Sequence, residues 1–248
     1  MIGSPRIALV TGGMGGIGTA ISQRLHRDGF TVIVGCNPAS SRKNDWIGKQ
    51  LEAGYHFHCV DCDITDWDST RKGFELIQEH VGPVDVLVNN AGITRDATFR
   101  KLTLENWRAV IDTNLNGLFN TTKQVIEGML ERRWGRIINI SSINGQRGQF
   151  GQTNYSAAKA GIHGFSMALA REVSGKGVTV NTVSPGYIET DMTASIRPDI
   201  LDGMIAGIPV GRLGYPEEIA SIVAWLASEE SAYATGADFS VNGGMNMQ

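Results

Sequence analysis

The chain has 248 residues, 42% of them hydrophobic and 19% charged, with 22 Lys and Arg against 25 Asp and Glu for a formal net charge of -3. That balance fits one sizeable globular domain and lacks the basic excess of a protein that tracks nucleic-acid phosphates. No apolar run approaches the roughly 18 residues of a membrane span, and no hydrophobic leader precedes Ile7, so a cytoplasmic protein without nucleic-acid or membrane partners is expected. Three cysteines are too few for a disulfide framework and fit a reducing compartment.

Short β-branched runs alternate with longer helical patterns, the signature of a parallel sheet covered by helices. The first strand is predicted over 6–11. It runs into Thr11-Gly12-Gly13-Met14-Gly15-Gly16-Ile17-Gly18 and a helix over 17–28, a setting in which bare backbone amides and the helix dipole receive a pyrophosphate. A second strand over 31–35 leads into Cys36-Asn37. A site for NAD expects a carboxylate there, yet no Asp or Glu lies between Asp28 and Asp45, while Arg42 and Lys43 follow closely. An extra ribose phosphate is therefore welcome, and NADPH is the expected cofactor, with Asn37 and Arg42 at its ribose.

The third strand, over 57–62, carries Cys59 and Cys62 just after His56 and His58. Residues three apart on a strand face opposite ways, so no metal site is expected. Helices follow over 68–80, 104–132 with a break, 154–173 and 216–228, and strands over 84–89, 136–140, 179–183 and 238–241. The stretch 187–212 is the least regular. Nothing marks a linker or repeat, so 1–248 reads as one domain.

Tyr155 and Lys159 are four apart, on one face of the predicted helix. An ammonium about 4 Å from a phenol is worth on the order of 4 kcal/mol at an effective dielectric of 20, enough to make Tyr155 a proton donor near neutral pH. Ser141-Ser142 directly follows the strand over 136–140, and Asn114 lies in an earlier helical stretch.

The glycine loop, Asn89-Asn90-Ala91-Gly92, Asn114, Ser142 thirteen residues before Tyr155, Lys159 and Pro185-Gly186 occur in an order that resembles the short-chain dehydrogenase/reductase family over essentially the whole chain. The resemblance implies a Rossmann-type, doubly wound parallel sheet with helices on both faces. It implies that Ser142 polarises a carbonyl, Tyr155 donates a proton, Lys159 lowers the tyrosine pKa and holds the nicotinamide ribose, and Asn114 anchors a relay water. Asn90, Ala91 and Gly92 would line the cofactor, Asp63 would meet the adenine, and Pro185, Gly186, Ile188 and Thr190 would approach the nicotinamide. A nucleotide-binding protein without chemistry is the competing class, and it has no need of Ser142, Tyr155, Lys159 and Asn114 together.

The stretches over 91–96 and 145–155 resemble members of the family that act on 3-oxoacyl thioesters. They imply reduction of acetoacetyl-CoA to an (R)-3-hydroxyacyl-CoA for polyhydroxyalkanoate synthesis, with acyl-carrier-protein thioesters as the related alternative. By the same resemblance, Asp96, Lys101, Gln149, Phe150, Gln152, Tyr187 and Arg197 surround the acyl-CoA. Arg95, Arg100, Lys101 and Arg147 are cations expected at the mouth of the site, where coenzyme A phosphates would sit. The small and apolar run over 157–165 permits close packing between subunits, and resemblance implies a homotetramer.

Overall fold

A computed structural model describes residues 5–190, 193 and 197–247. Among them, seven strands form one parallel sheet: β1 Ile7–Thr11, β2 Thr31–Cys36, β3 His58–Asp61, β4 Val86–Asn89, β5 Gly135–Ile140, β6 Val178–Pro185 and β7 Asp238–Val241. Their order across the sheet is β3-β2-β1-β4-β5-β6-β7. This is the doubly wound arrangement expected from the sequence.

Alternation along each strand feeds two cores. In β1, Ala8 and Val10 pack with Ile21 and Leu25 of α1 (Gly16–Arg27) and with Val223 of the helix Pro216–Ala227. Ile7 and Leu9 point the other way, toward Phe74 and Ile77 of α3 (Trp67–His80) and Met129 of α5 (Gly117–Arg132). Each such side chain contributes roughly 1.5–3 kcal/mol when fully buried. Helix α2 (Lys43–Glu52) lies beside α1, where the Trp46 indole donates to Thr19 Oγ1 at 3.0 Å.

A buried polar cluster fastens α5 and α7 (Thr153–Val173) to the sheet beneath the site. Asn89 Nδ2 donates to Asn139 Oδ1 at 2.9 Å, Thr121 donates to Asn89 Oδ1 at 2.7 Å, and Asn139 Nδ2 donates to Ser166 Oγ at 2.9 Å. With these amides fully partnered, the cluster fixes one register of helix on sheet.

The helix expected over 104–132 is divided. Helix α4 (Leu104–Ile111) gives way to a π turn over Asp112–Asn116 before α5 begins. Gly117 presses so closely on Ile64 that a Cβ there would lie 2.7 Å from its Cδ1. Among the described residues, α-helices also form where none was named: α2, the short α6 (Ile143–Arg147) and Pro198–Ala206, which lies inside the stretch read as irregular. Strand β3 stops at Asp61, which leaves Cys62 beyond it. Cys59 instead faces Cys36 of β2, and the hydrogen bond between the thiols, with burial second, pushes the Cys36 pKa up.

Candidate active site

At the carboxyl ends of β1 and β4 the winding reverses, and the glycine loop is braced there by the opposite half of the sheet. Thr11 Oγ1 accepts from the backbone N–H groups of Asn90 and Ala91 at 3.0 and 3.1 Å, while Asn90 Nδ2 donates to the carbonyls of Thr11 and Gly12 at 3.0 and 3.1 Å. Gly12 has φ +61°, in the left-handed region. A Cβ on Gly12, Gly13 or Gly16 would come within 2.8 Å of Ala91 Cα, Val34 Cγ1 or Thr190 Cγ2 respectively. Gly15 is different, since a Cβ there meets nothing nearer than 3.5 Å.

A cavity of about 950 Å³ runs from Asn37 and Arg42, along the glycine loop, to Ser142, Tyr155 and Lys159. Pro185, Gly186 and Ile188 line its far wall. Helix α1 opens into it with no side-chain cap at Gly15 and no acidic residue in its first turn. Bare amides, the positive end of a helix dipole and an elongated groove are the features that fit a dinucleotide diphosphate.

At the β2 end, Arg42 borders the cavity and has no carboxylate partner among the described residues. Lys43 does not share that role, because its ammonium is held by Asp61 Oδ1 at 2.6 Å. Asn37 turns its Oδ1 to the backbone N–H of Ala39 at 2.9 Å, and Asp63 accepts from the hydroxyl of Thr65 at 2.8 Å; both residues line the groove.

Ser142 follows β5 by two residues and caps α6, its Oγ accepting from the backbone N–H of Asn144 at 3.1 Å. That leaves the serine hydrogen free to donate. Tyr155, in the first turn of α7, lines the same stretch of cavity as Ser142. Burial pushes the phenol pKa up, and the neighbouring Ser142 hydroxyl opposes it. Lys159 is buried, donates to the carbonyl of Ile140 at 2.7 Å, and is brought down to about 8 by burial. Burial raises the tyrosine pKa and lowers that of Lys159, so in the chain by itself burial works against the depression expected from the ammonium. The cation lies 5.6 Å from the tyrosine ring centroid and is turned to the sheet.

Asn114 sits in the π turn and closes a ring with Ile93, accepting from its N–H at 2.8 Å and donating to its carbonyl at 3.0 Å. Its side chain thus joins the π turn to the segment after β4. A Cβ on Gly92 would lie 3.3 Å from Asn114 Oδ1 and 3.5 Å from Lys159 Nζ, so these three residues converge.

Residues 6–201 match the short chain dehydrogenase family. The chain belongs to that family. It is 66% identical over 242 residues to an acetoacetyl-CoA reductase of Cupriavidus necator, a match that covers 98% of each chain. It is 55% identical over 243 residues to an acetoacetyl-CoA reductase of Allochromatium vinosum, covering 98% of this chain and 99% of the other. A 3-oxoacyl-[acyl-carrier-protein] reductase of Pseudomonas aeruginosa is 46% identical over 243 residues, covering 98% of each. As a member of the family, this short-chain dehydrogenase is an oxidoreductase that works with a nicotinamide cofactor. No helix among the described residues is long and apolar enough to cross a membrane.

The residues expected around the substrate of this dehydrogenase divide in two. Gln152 and Tyr187 line the cavity. Asp96 reaches it through Gln152, whose Nε2 donates to Asp96 Oδ2 at 2.8 Å while its Oε1 accepts from Asn144 Nδ2 at 2.9 Å. Lys101, Gln149 and Phe150 are exposed and stand off the cavity wall, Phe150 at 87% exposure. Arg197 is also exposed and is paired with Asp199 at 3.1 Å, because the Pro198–Ala206 helix begins beside it. Asn144 was missed by sequence reasoning, although its place two residues after the capping Ser142 is the spacing at which a helix N-cap receives an amide hydrogen.

Proposed function

We propose that this chain reduces acetoacetyl-CoA to an (R)-3-hydroxyacyl-CoA with NADPH, as a step supplying polyhydroxyalkanoate synthesis. The observation that carries the reading is the meeting of Ser142, Tyr155 and Lys159 at one end of the long groove that starts at Arg42. The names of the two reductases at 66% and 55% identity support the thioester. Arg42, with no carboxylate partner among the described residues, supports the phosphorylated cofactor.

Bound in the groove, NADPH supplies the hydride that adds to the 3-carbonyl carbon. Ser142, its oxygen already accepting from Asn144, aims its hydroxyl hydrogen at the carbonyl oxygen. Tyr155 delivers its proton to that oxygen as negative charge develops. Burial keeps the phenol protonated until that moment, and so favours donation over early loss of the proton. Lys159 supports the phenolate that Tyr155 becomes. Asn114, locked to Ile93, holds the π turn in place and is the residue assigned to anchor a relay water.

Gln152, held by Asp96 and Asn144, orients the acyl end together with Tyr187. Arg95, Arg100, Lys101 and Arg147 have no carboxylate partner among the described residues, which supports a polyanionic handle such as coenzyme A. The small, outward side of α7, with Gly164 open to solvent and Met167 exposed, supports a homotetramer, checked by light scattering at working concentration.

The deciding experiment compares kcat/KM on acetoacetyl-CoA and on acetoacetyl-acyl-carrier protein with one enzyme preparation over a range of salt. Higher efficiency on the coenzyme A thioester is expected. Preference for the carrier-protein thioester would assign the chain to fatty-acid synthesis instead.

A further inference from the structure

A line of hydrogen bonds runs from the sheet edge to the catalytic helix behind the cavity's Ser141 and Lys159. Ser141 places its Oγ 2.9 Å from the carbonyl oxygen of Lys159 and 2.9 Å from Nε2 of His163. His163 stands one turn further along α7, and its Nδ1 is 3.3 Å from Oδ2 of Asp238 on β7. Asp238 is held in turn by the hydroxyl of Ser184 at 2.8 Å and by Nε2 of Gln146 at 2.6 Å. Lys159 is thus gripped at both ends by adjacent residues, its ammonium by Ile140 and its carbonyl by Ser141.

The proton count makes this more than a brace, because the Ser141 hydroxyl has one hydrogen and two candidate acceptors. With neutral imidazole, Asp238 takes the Nδ1–H, and bare Nε2 draws the serine hydrogen away from the Lys159 carbonyl. With doubly protonated imidazole, Nε2–H donates to Ser141 Oγ, and the serine hydrogen goes to Lys159. We propose that His163 is a positioning residue for the reduction: its protonation selects the acceptor of Ser141 and so sets the tether on the helical turn that carries Lys159.

The charged groups facing His163 are Asp238 from β7 and, on its own helix, Lys159, whose ammonium is turned to Ile140. Ser141 just after β5, Gln146 of α6 and Thr182 of β6, which face it, do not titrate. The His163 and Asp238 side chains keep 18% and 22% exposure and border a cavity of about 310 Å³, so solvent protons reach them. A Ser-His-Asp series also occurs in hydrolases, but Ser141 is 3% exposed and its hydroxyl lies between the Lys159 carbonyl and His163.

The test uses the full chain, with acetoacetyl-CoA as substrate in line with the proposed function. His163→Leu removes both nitrogens, and His163→Gln keeps an amide donor but cannot titrate. His163→Leu is expected to lower kcat about tenfold with NADPH binding, read by fluorescence, retained. His163→Gln is expected to restore most of that loss and to remove the pH step in kcat expected of the unmodified chain. Retention of that pH step in His163→Gln, or an unchanged kcat in His163→Leu, overturns the proposal, and if His163→Leu does not fold the glutamine variant decides. Long-range ¹H–¹⁵N spectra of a chain with only 5 histidines give a substrate-free readout. The Nδ1–H tautomer of His163 is expected at high pH, and an Nε2–H tautomer overturns the switch. Should the unmodified chain leave acetoacetyl-CoA unreduced, the proposed function falls while the tautomer measurement still decides the role of His163.

Discussion

The ammonium of Lys159 is docked on the carbonyl of Ile140 at 2.7 Å, so the cation nearest the proton donor is anchored to the last residue of a central strand. Burial lowers its pKa from 10.5 to about 8. Below about pH 8 folded and unfolded chains are both protonated at this site, and the full cost of burying the charge is present. Between about 8 and 10.5 the folded chain sheds the proton first, so stability rises with pH. Urea unfolding of the cofactor-free chain should show this gain, on the order of 3 kcal/mol, relative to Lys159→Met. Parallel pH curves for the two chains would contradict the assignment.

Tyr155→Phe removes the proton donor and keeps the ring that fills the cavity wall. Loss of kcat by about 10²–10⁴-fold is expected, with NADPH binding retained by fluorescence titration. A variant within a few-fold of the unmodified chain would mean that another group delivers the proton.

Arg42→Ala tests the phosphate reading at the β2 end. A charge-assisted hydrogen bond of about 1.5–3 kcal/mol corresponds to roughly ten- to a hundredfold in the KM for NADPH, with the KM for NADH little altered. Equal changes for both cofactors would remove Arg42 from the ribose phosphate. Lys43→Ala, which frees Asp61 from its partner, should also weaken NADPH by leaving a carboxylate uncompensated nearby.

Two glycines of one loop should respond in opposite ways. Gly12→Ala forces a side chain into a left-handed conformation and against Ala91, so thermal unfolding should fall by about 1–2 kcal/mol or more. Gly15→Ala has ordinary space, so its melting temperature should stay near that of the parent while NADPH binds more weakly. A Gly15→Ala chain that binds NADPH normally would place the diphosphate elsewhere.

What could be read from the sequence was whatever local chemistry dictates. The β-branched runs around Val10, Val34 and Val88 are buried on both faces, which makes parallel strands conspicuous. The spacing of Tyr155 and Lys159 likewise forces a shared helix face. Orientation was not legible: whether Lys159 meets the phenol or Ile140 depends on a strand nineteen residues away, and whether Lys43 is free depends on Asp61, eighteen residues on. Helix α2 was missed because it buries little beyond Gln50 and so shows a weak apolar stripe. The substrate rim fared worst, since exposed positions such as Lys101 and Phe150 are set by neither periodicity nor packing.

The brace between Thr11 and Asn90 joins positions 79 residues apart. During synthesis the glycine loop therefore leaves the ribosome long before the residues that shape it, and its nucleotide-binding conformation must wait for β4 to dock beside β1. Competence for the cofactor is a late, non-local event in the folding of this chain. A nascent fragment ending at residue 80 should accordingly carry the complete glycine sequence and yet hold no nucleotide.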